Sequence, residues 1–259
     1  LDIQLKELQS EVVGAQLGND ALSTSLTAGI CGLAIVVIFL MIAYLLPGVV
    51  ASMALALYTT LIISILYLFD ITLTLPGIAG IILSIGMAVD ANVIIFARIK
   101  EELAAGKSVA NAVEVGFKKA LSAILDGNIT TLIAAAVLGV MGSGTVKGFA
   151  ITLALGVIVS LFTALFVTQT LLKAFIAMGV TNPKVYGIAK KHRNLNFVGK
   201  KAVFFTISLT ITAIGCITMG VNTYKGNKAL NYSLEFMGGT STTANFNKSY
   251  TIGEIEKEM

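Results

Sequence analysis

Long uncharged apolar runs, separated by short polar stretches, set the pattern of this chain. Six windows stand out: about Leu26–Leu46, Val49–Phe69, Leu75–Ala97, Leu121–Met141, Gly148–Leu172 and Ala202–Val221. A run of ~20 apolar residues, rising ~1.5 Å per residue, crosses the ~30 Å hydrocarbon layer. These runs are continuous, whereas a barrel strand alternates its lipid-facing and lumen-facing positions, so each predicts a helix. The expected fold class is an all-α polytopic membrane helical bundle with six spans. Beyond the last span the period changes. Leu230–Phe236 and Thr240–Phe246 read as strands about a Gly238-Gly239 turn, and Thr251 with Glu254 forms a capping box for a final helix. One hairpin and one helix bury too little to stand alone. Leu1 to Asn19 reads as an amphipathic segment carrying Asp2, Glu7 and Glu11 ahead of the first span. The chain therefore reads as the middle piece of a larger protein.

Composition agrees with this setting. Hydrophobic residues are 56% of the chain and charged residues 12%, against ~25% charged in soluble domains. The few cations set an orientation. Arg98, Lys100, Lys107, Lys118 and Lys119 lie between the third and fourth spans, and Lys173, Lys184, Lys190, Lys191, Arg193, Lys200 and Lys201 between the fifth and sixth. Cations mark the cytoplasmic side, so both segments are expected inside and both ends of the chain outside.

Against this background Asp90 is out of place. It interrupts an otherwise uncharged run, and a carboxyl at that depth costs roughly 2.5–3.5 kcal/mol on insertion scales, so it marks a functional site by default. Arg98 at the cytoplasmic end of the same span lies ~12 Å below it. The next span carries a second Asp-x-Asn pair: Asp126 and Asn128, with Thr130 and Thr131 following, echo Asp90 and Asn92. Asp126 lies ~10 Å into the membrane from Lys119, a depth similar to that of Asp90. Carboxyls at one level can share or pass a proton, which makes Asp90, Asn92, Asp126, Asn128 and Thr130 the candidate proton relay. The residues alone leave open a neutral Asp90 that only bonds a neighbouring helix, and an Asp126 that snorkels toward headgroups or caps a helix.

A second device is steric. Gly148, Thr152, Gly156, Ser160, Ala164 and Thr168 recur every fourth residue along the fifth span, and Gly80, Ser84 and Ala88 do so on the third. Small residues let helix backbones approach closely, so Gly80, Ser84, Gly148, Gly156 and Ser160 are expected at helix–helix contacts. Between the third and fourth spans, Lys100 to Lys119 is predicted to form an interfacial helix with Val109, Ala112, Val113, Gly116 and Phe117 on its apolar side.

His192 stands in a basic loop without ligand-spaced partners, and Cys31 and Cys216 lie in different spans. Neither a metal site nor a disulfide frame is suggested. There is no P-loop, no Gly-x-Ser-x-Gly and no His-Glu-x-x-His, so no enzyme, cofactor or nucleic-acid partner is indicated. Any work done draws on an energy source other than ATP.

Several stretches carry a family resemblance. Leu73-Thr74-Leu75-Pro76-Gly77-Ile78-Ala79-Gly80 followed by Gly86-Met87-Ala88-Val89-Asp90-Ala91-Asn92-Val93 closely resembles the signature of the fourth span of SecD. Ile124-Leu125-Asp126-Gly127-Asn128-Ile129-Thr130-Thr131 and Val146-Lys147-Gly148-Phe149-Ala150-Ile151-Thr152-Leu153 resemble the next two signatures. Leu234-Glu235-Phe236-Met237-Gly238-Gly239-Thr240 is similar to the opening of SecF. The resemblance is to SecDF proteins of the RND superfamily, in which SecD and SecF are fused, and the six spans would be the second to seventh of that architecture.

The resemblance implies a boundary scheme. Residues 1–25 would end a first extracytoplasmic domain, 26–178 form the five-span SecD-like domain, and 179–201 a cytoplasmic linker. The first SecF-like span would be 202–221, and 222–259 the start of an α+β ferredoxin-like extracytoplasmic domain. It also implies a function: export of preproteins across the bacterial cytoplasmic membrane, driven by the proton-motive force beside SecYEG, SecA and YajC-type accessory proteins. Unfolded preprotein would be the substrate, membrane lipids the surroundings, and Asp90 the proton carrier. Its Asp and Arg counterparts belong to the SecF half, which this chain lacks. Ala97, Gln169 and Glu235 depart from the usual family residues, and none of them touches Asp90 in the motif. A proton-coupled exporter of lipids or hydrophobic small molecules from the same superfamily is the alternative.

Overall fold

In the computed structural model, the structure describes residues 15–142, 144–187, 198–224 and 230. Apart from Leu230, the predicted strand pair and final helix lie outside the described residues, as do His192 and the start of the amphipathic segment. The chain divides into two compact units, Leu1–Lys191 and His192–Met259.

The first unit is a helical bundle. Its elements are α1 (Ala15–Tyr44), α2 (Leu46–Leu68), α3 (Leu75–Ala104), α4 (Val109–Met141), α5 (Gly144–Phe162), a π turn (Thr163–Val167), α6 (Thr168–Ala177) and the short α7 (Pro183–Tyr186). The second unit contains α8 (Lys201–Tyr224), which carries no buried side chain. Among the described residues, six helices are long and apolar enough to cross a membrane, with α5, the π turn and α6 counting as one. They correspond one for one to the predicted spans. Most extend a turn or more beyond them, because helical backbone continues past the hydrocarbon boundary wherever packing supports it.

Helix α3 is the axis of the first unit. Thr74 caps its start, the hydroxyl accepting the Gly77 N–H at 3.1 Å, and Pro76 follows in the first turn, where a missing N–H costs nothing. Its closest neighbour is α5, followed by α4, and it also meets α1 and α2. The α3–α5 seam is built of small residues. Gly77 and Gly148 meet at Thr74, Gly80 lies on Thr152 and the Phe149 carbonyl, and Gly156 lies on Ser84 and Tyr58. Where they cross, Tyr58 Oη and Ser84 Oγ share a hydrogen bond of 2.6 Å and both residues are fully buried.

One expectation is corrected. Lys100 to Lys119 is not a separate interfacial helix. α3 runs on to Ala104, the chain turns through Gly106 at a φ of 85°, and α4 starts at Val109 and continues unbroken into its span. The predicted apolar face is real: Val109, Ala112, Val113, Gly116 and Phe117 are all buried in the bundle. The reason for the difference lies at Glu102. Its nearly buried carboxylate takes Lys107 and Lys119, each at 2.5 Å, and so ties the end of α3 to the first turns of α4. Two rods joined by such a clamp bury that face on each other, and a helix lying flat on the membrane is not needed.

Candidate functional site

Asp90 sits in the sixteenth position of α3, near the middle of the helix. Its side chain is exposed and makes no hydrogen bond or ion pair among the described residues. The exposure has a pattern. Ala79, Leu83, Gly86, Asp90 and Ala97 are the exposed residues of this stretch, spaced four, three, four and seven apart. That is the spacing of a helix-packing seam. The helices of this unit leave it uncovered, and three of its five members are Ala or Gly, which admit a close neighbour.

Asn92 lies on the opposite side. Two residues turn a helix by ~200°, so Asn92 must point inward when Asp90 points outward. It is 4% exposed. Its amide Nδ2 donates to the Ala88 carbonyl at 3.3 Å, and its Oδ1 accepts from Thr168 Oγ1 at 2.9 Å. Asn92 is thus a cross-helix tie to the start of α6, two residues from the exposed carboxyl.

The α4 members of the predicted relay are satisfied on their own helix. Asn128 Nδ2 donates to the Ile124 carbonyl at 2.7 Å, Thr130 to that of Asp126 at 2.9 Å and Thr131 to that of Gly127 at 3.1 Å. Among the described residues the Asp126 carboxylate accepts only from Ser122, at 3.4 Å, and is exposed. No hydrogen bond joins the two Asp-x-Asn pairs among the described residues. Of the packing residues, Gly80, Ser84, Gly148 and Gly156 meet across the α3–α5 seam, and Ser160 is buried with its hydroxyl on the Val157 carbonyl.

Three features escaped the sequence reading. Thr168 counted only as a small residue, yet among the described residues it carries the one polar side-chain contact that reaches Asn92 from another helix. The π turn has no recognisable composition, but its need was visible: a four-residue repeat precesses ~40° per step on an α-helix, so a stripe running from Gly148 to Thr168 cannot stay on one straight face. Lys100 figures in the sequence pattern only as a cation between the third and fourth spans and as the start of the expected interfacial helix. It reaches back to the end of α1, donating to the Ala43 carbonyl at 3.1 Å with its ammonium 4.3 Å above the Tyr44 ring. Nearby, outside the spans, Tyr186 donates to the Val180 carbonyl at 2.8 Å, and burial pushes its phenol above the ordinary range.

The geometry places an unpaired carboxyl at the middle of an uncovered packing seam, and comparison with known proteins places the chain. A model of the protein export membrane protein SecD/SecF, C-terminal, matches residues 1–178. The chain belongs to the SecD/SecF family. It is 50% identical over 195 residues to a protein translocase subunit SecD of Thermobaculum terrenum, covering 73% of this chain and 38% of that protein. Protein translocase subunit SecDF of Bacillus subtilis is 36% identical and aligns with 100% of this chain, which covers 37% of it. The crystal structure of SecDF from Thermus thermophilus, described as a translocon-associated membrane protein, superposes with a TM-score of 0.76 at 36% identity, over 88% of this chain and 30% of that one. The chain thus spans less than half the length of these SecD and SecDF relatives.

Proposed function

We propose that this chain is the segment running from the C-terminal half of SecD into the start of SecF in a Sec translocase accessory protein that uses the proton-motive force to promote preprotein export. The setting is the bacterial cytoplasmic membrane, with both ends of this segment outside it. The observation that carries the reading is Asp90 in the middle of the uncovered seam of α3. An ionised carboxyl at that depth needs water or a cation; a neutral one can be packed against. Family membership supports a SecF-like half as the element that covers the seam, bringing its own Asp and Arg to Asp90.

The cycle follows from the charge. Protonation from outside neutralises Asp90 and lets the covering helix close on Ala79, Gly86 and Ala97. Release of the proton inward restores the charge and favours the arrangement that hydrates it or pairs it with the Arg. Each proton crossing 100 mV supplies ~2.3 kcal/mol, a bias large enough to move a two-state packing equilibrium. The extracytoplasmic domains connected to α1 and α8 would follow this motion and draw preprotein outward, beside SecYEG, SecA and YajC-type proteins. Asp126, Asn128 and Thr130 line α4 at a similar depth and serve as the secondary part of the relay.

Asp90→Asn in the complete protein is the test. Proton-dependent stimulation of preprotein export into inverted vesicles should vanish while the protein inserts and folds as before; full stimulation would overturn the reading. One observation favours the alternative, export of a lipid or hydrophobic molecule. An apolar cleft of ~660 Å³ opens between α1, α2 and α3, lined by residues such as Leu26, Ile30, Tyr58, Ile62, Ile78 and Ile82. Proton-driven efflux of a hydrophobic dye by reconstituted protein, with no effect on preprotein export, would select that alternative.

A further inference from the structure

We infer that Thr168, held in register by the π turn, is a positioning residue that latches the rotation of α3 and so fixes the direction in which Asp90 faces. The inference rests on the reading of Asp90 as the proton carrier. Its geometry stands on the structure alone.

The latch is a buried chain of polar groups inside an apolar bundle. Thr163, Thr168 and Asn92 are 3%, 0% and 4% exposed. Thr168 Oγ1 lies 2.9 Å from Asn92 Oδ1 and 3.2 Å from the Thr163 carbonyl, with one hydroxyl proton for the two acceptors. When that proton is on Asn92, α3 and α6 are tied. When it is on Thr163, the hydroxyl is satisfied within its own helix and α3 is released. The second arrangement leaves the buried Asn92 Oδ1 without a donor, so the tied arrangement is favoured by the worth of one net hydrogen bond.

The π turn is what puts Thr168 within reach. Gly156 faces α3, lying directly on Ser84. From Gly156 to Thr168 an α-helix would advance three turns and a further ~120°, which would swing the hydroxyl off α3. A π turn accommodates one extra residue, so the downstream helix is set back by roughly the ~100° that residue would add. Thr168 thereby returns to within ~20° of the Gly156 direction. Its own N–H closes the turn on the Thr163 carbonyl, the same oxygen that competes for its hydroxyl. On α3, Asn92 and Asp90 are nearly opposite, so any rotation that turns Asp90 inward must first break Asn92 from Thr168.

The test reads the accessibility of Asp90 directly. The protein is reconstituted in proteoliposomes and treated with a fluorescent hydrophobic carbodiimide, which couples to protonated carboxyls from the lipid phase; Asp90→Asn gives the blank. Thr168→Val keeps the shape and removes the hydroxyl, and should change the rate of Asp90 labelling by about fivefold, the factor that one net hydrogen bond sets. Thr168→Ser should restore the parental rate. Asn92→Leu should change labelling as Thr168→Val does, and the double variant no further, because both remove the same bond. Parental labelling in Thr168→Val, or effects that add in the double variant, would overturn the latch. Failure of the export proposal would show differently, as an Asp90→Asn protein that still stimulates export while the labelling pattern holds.

Discussion

Replacing Gly80 by Ala measures how tightly the α3–α5 seam is closed. A Cβ at position 80 would stand 2.6 Å from Thr152 Oγ1 and 3.2 Å from both the Phe149 carbonyl oxygen and its ring. Ordinary van der Waals contact lies at ~3.5 Å, so the nearest atom must retreat by nearly 1 Å. Thr152 has little room to do so. It is 1% exposed, its χ1 is stiff, and its hydroxyl already donates to the Gly148 and Phe149 carbonyls at 3.2 and 3.0 Å. Either the helices part or the hydroxyl gives up its bonds. Overpacking costs ~1–3 kcal/mol and a lost bond ~1 kcal/mol, while Ala in place of Gly in a helix returns ~1 kcal/mol. The expected net loss is about 1 kcal/mol, read by reversible unfolding in mixed micelles as the denaturing detergent is titrated. Thr152→Ala removes the obstructing oxygen, so the double variant should recover ~1 kcal/mol over additivity. Gly127→Ala is the control, since nothing lies within 4 Å of that position. A neutral Gly80→Ala, or no recovery with Thr152→Ala, would refute a seam in steric contact at this point.

Three more outcomes follow from the same geometry. Glu102→Gln removes the charge that holds Lys107 and Lys119, so the 105–108 turn should be cut faster by trypsin at Lys107, with the helical circular dichroism unchanged. Lys100→Met keeps the aliphatic stem but loses the bond to the Ala43 carbonyl and the Tyr44 ring contact; the end of α1 should gain amide exchange, by about fivefold for ~1 kcal/mol, and protection equal to the parent would refute the tie. Asp126→Asn should slow proton-dependent export without abolishing it, because the carboxylate has only a long bond to Ser122 and lies on a different helix from Asp90; complete loss would place the two carboxyls on an equal footing.

What the sequence determined by itself was set by short-range rules. The spans were legible because a helix is the only open segment that satisfies its own backbone in lipid, and its length is fixed by the bilayer. Asp90 was legible because a charge in such a run is costly wherever the helix packs. The small residues at Gly80, Ser84, Gly148 and Gly156 marked a close approach, although not that the two stripes meet each other. Tertiary structure decided the rest. Which way Asp90 faces depends on which sides of α3 the other helices cover, and no local pattern states that. The partnership of Asn92 with Thr168 spans 76 residues and depends on a π turn whose extra residue resets the direction of α6. The segment from Lys100 to Lys119 showed its apolar face in the sequence, but whether that face met lipid or another helix depended on Glu102 finding two lysines on the far side of a turn. Local pattern fixes what each segment must bury; only the assembled bundle fixes against what.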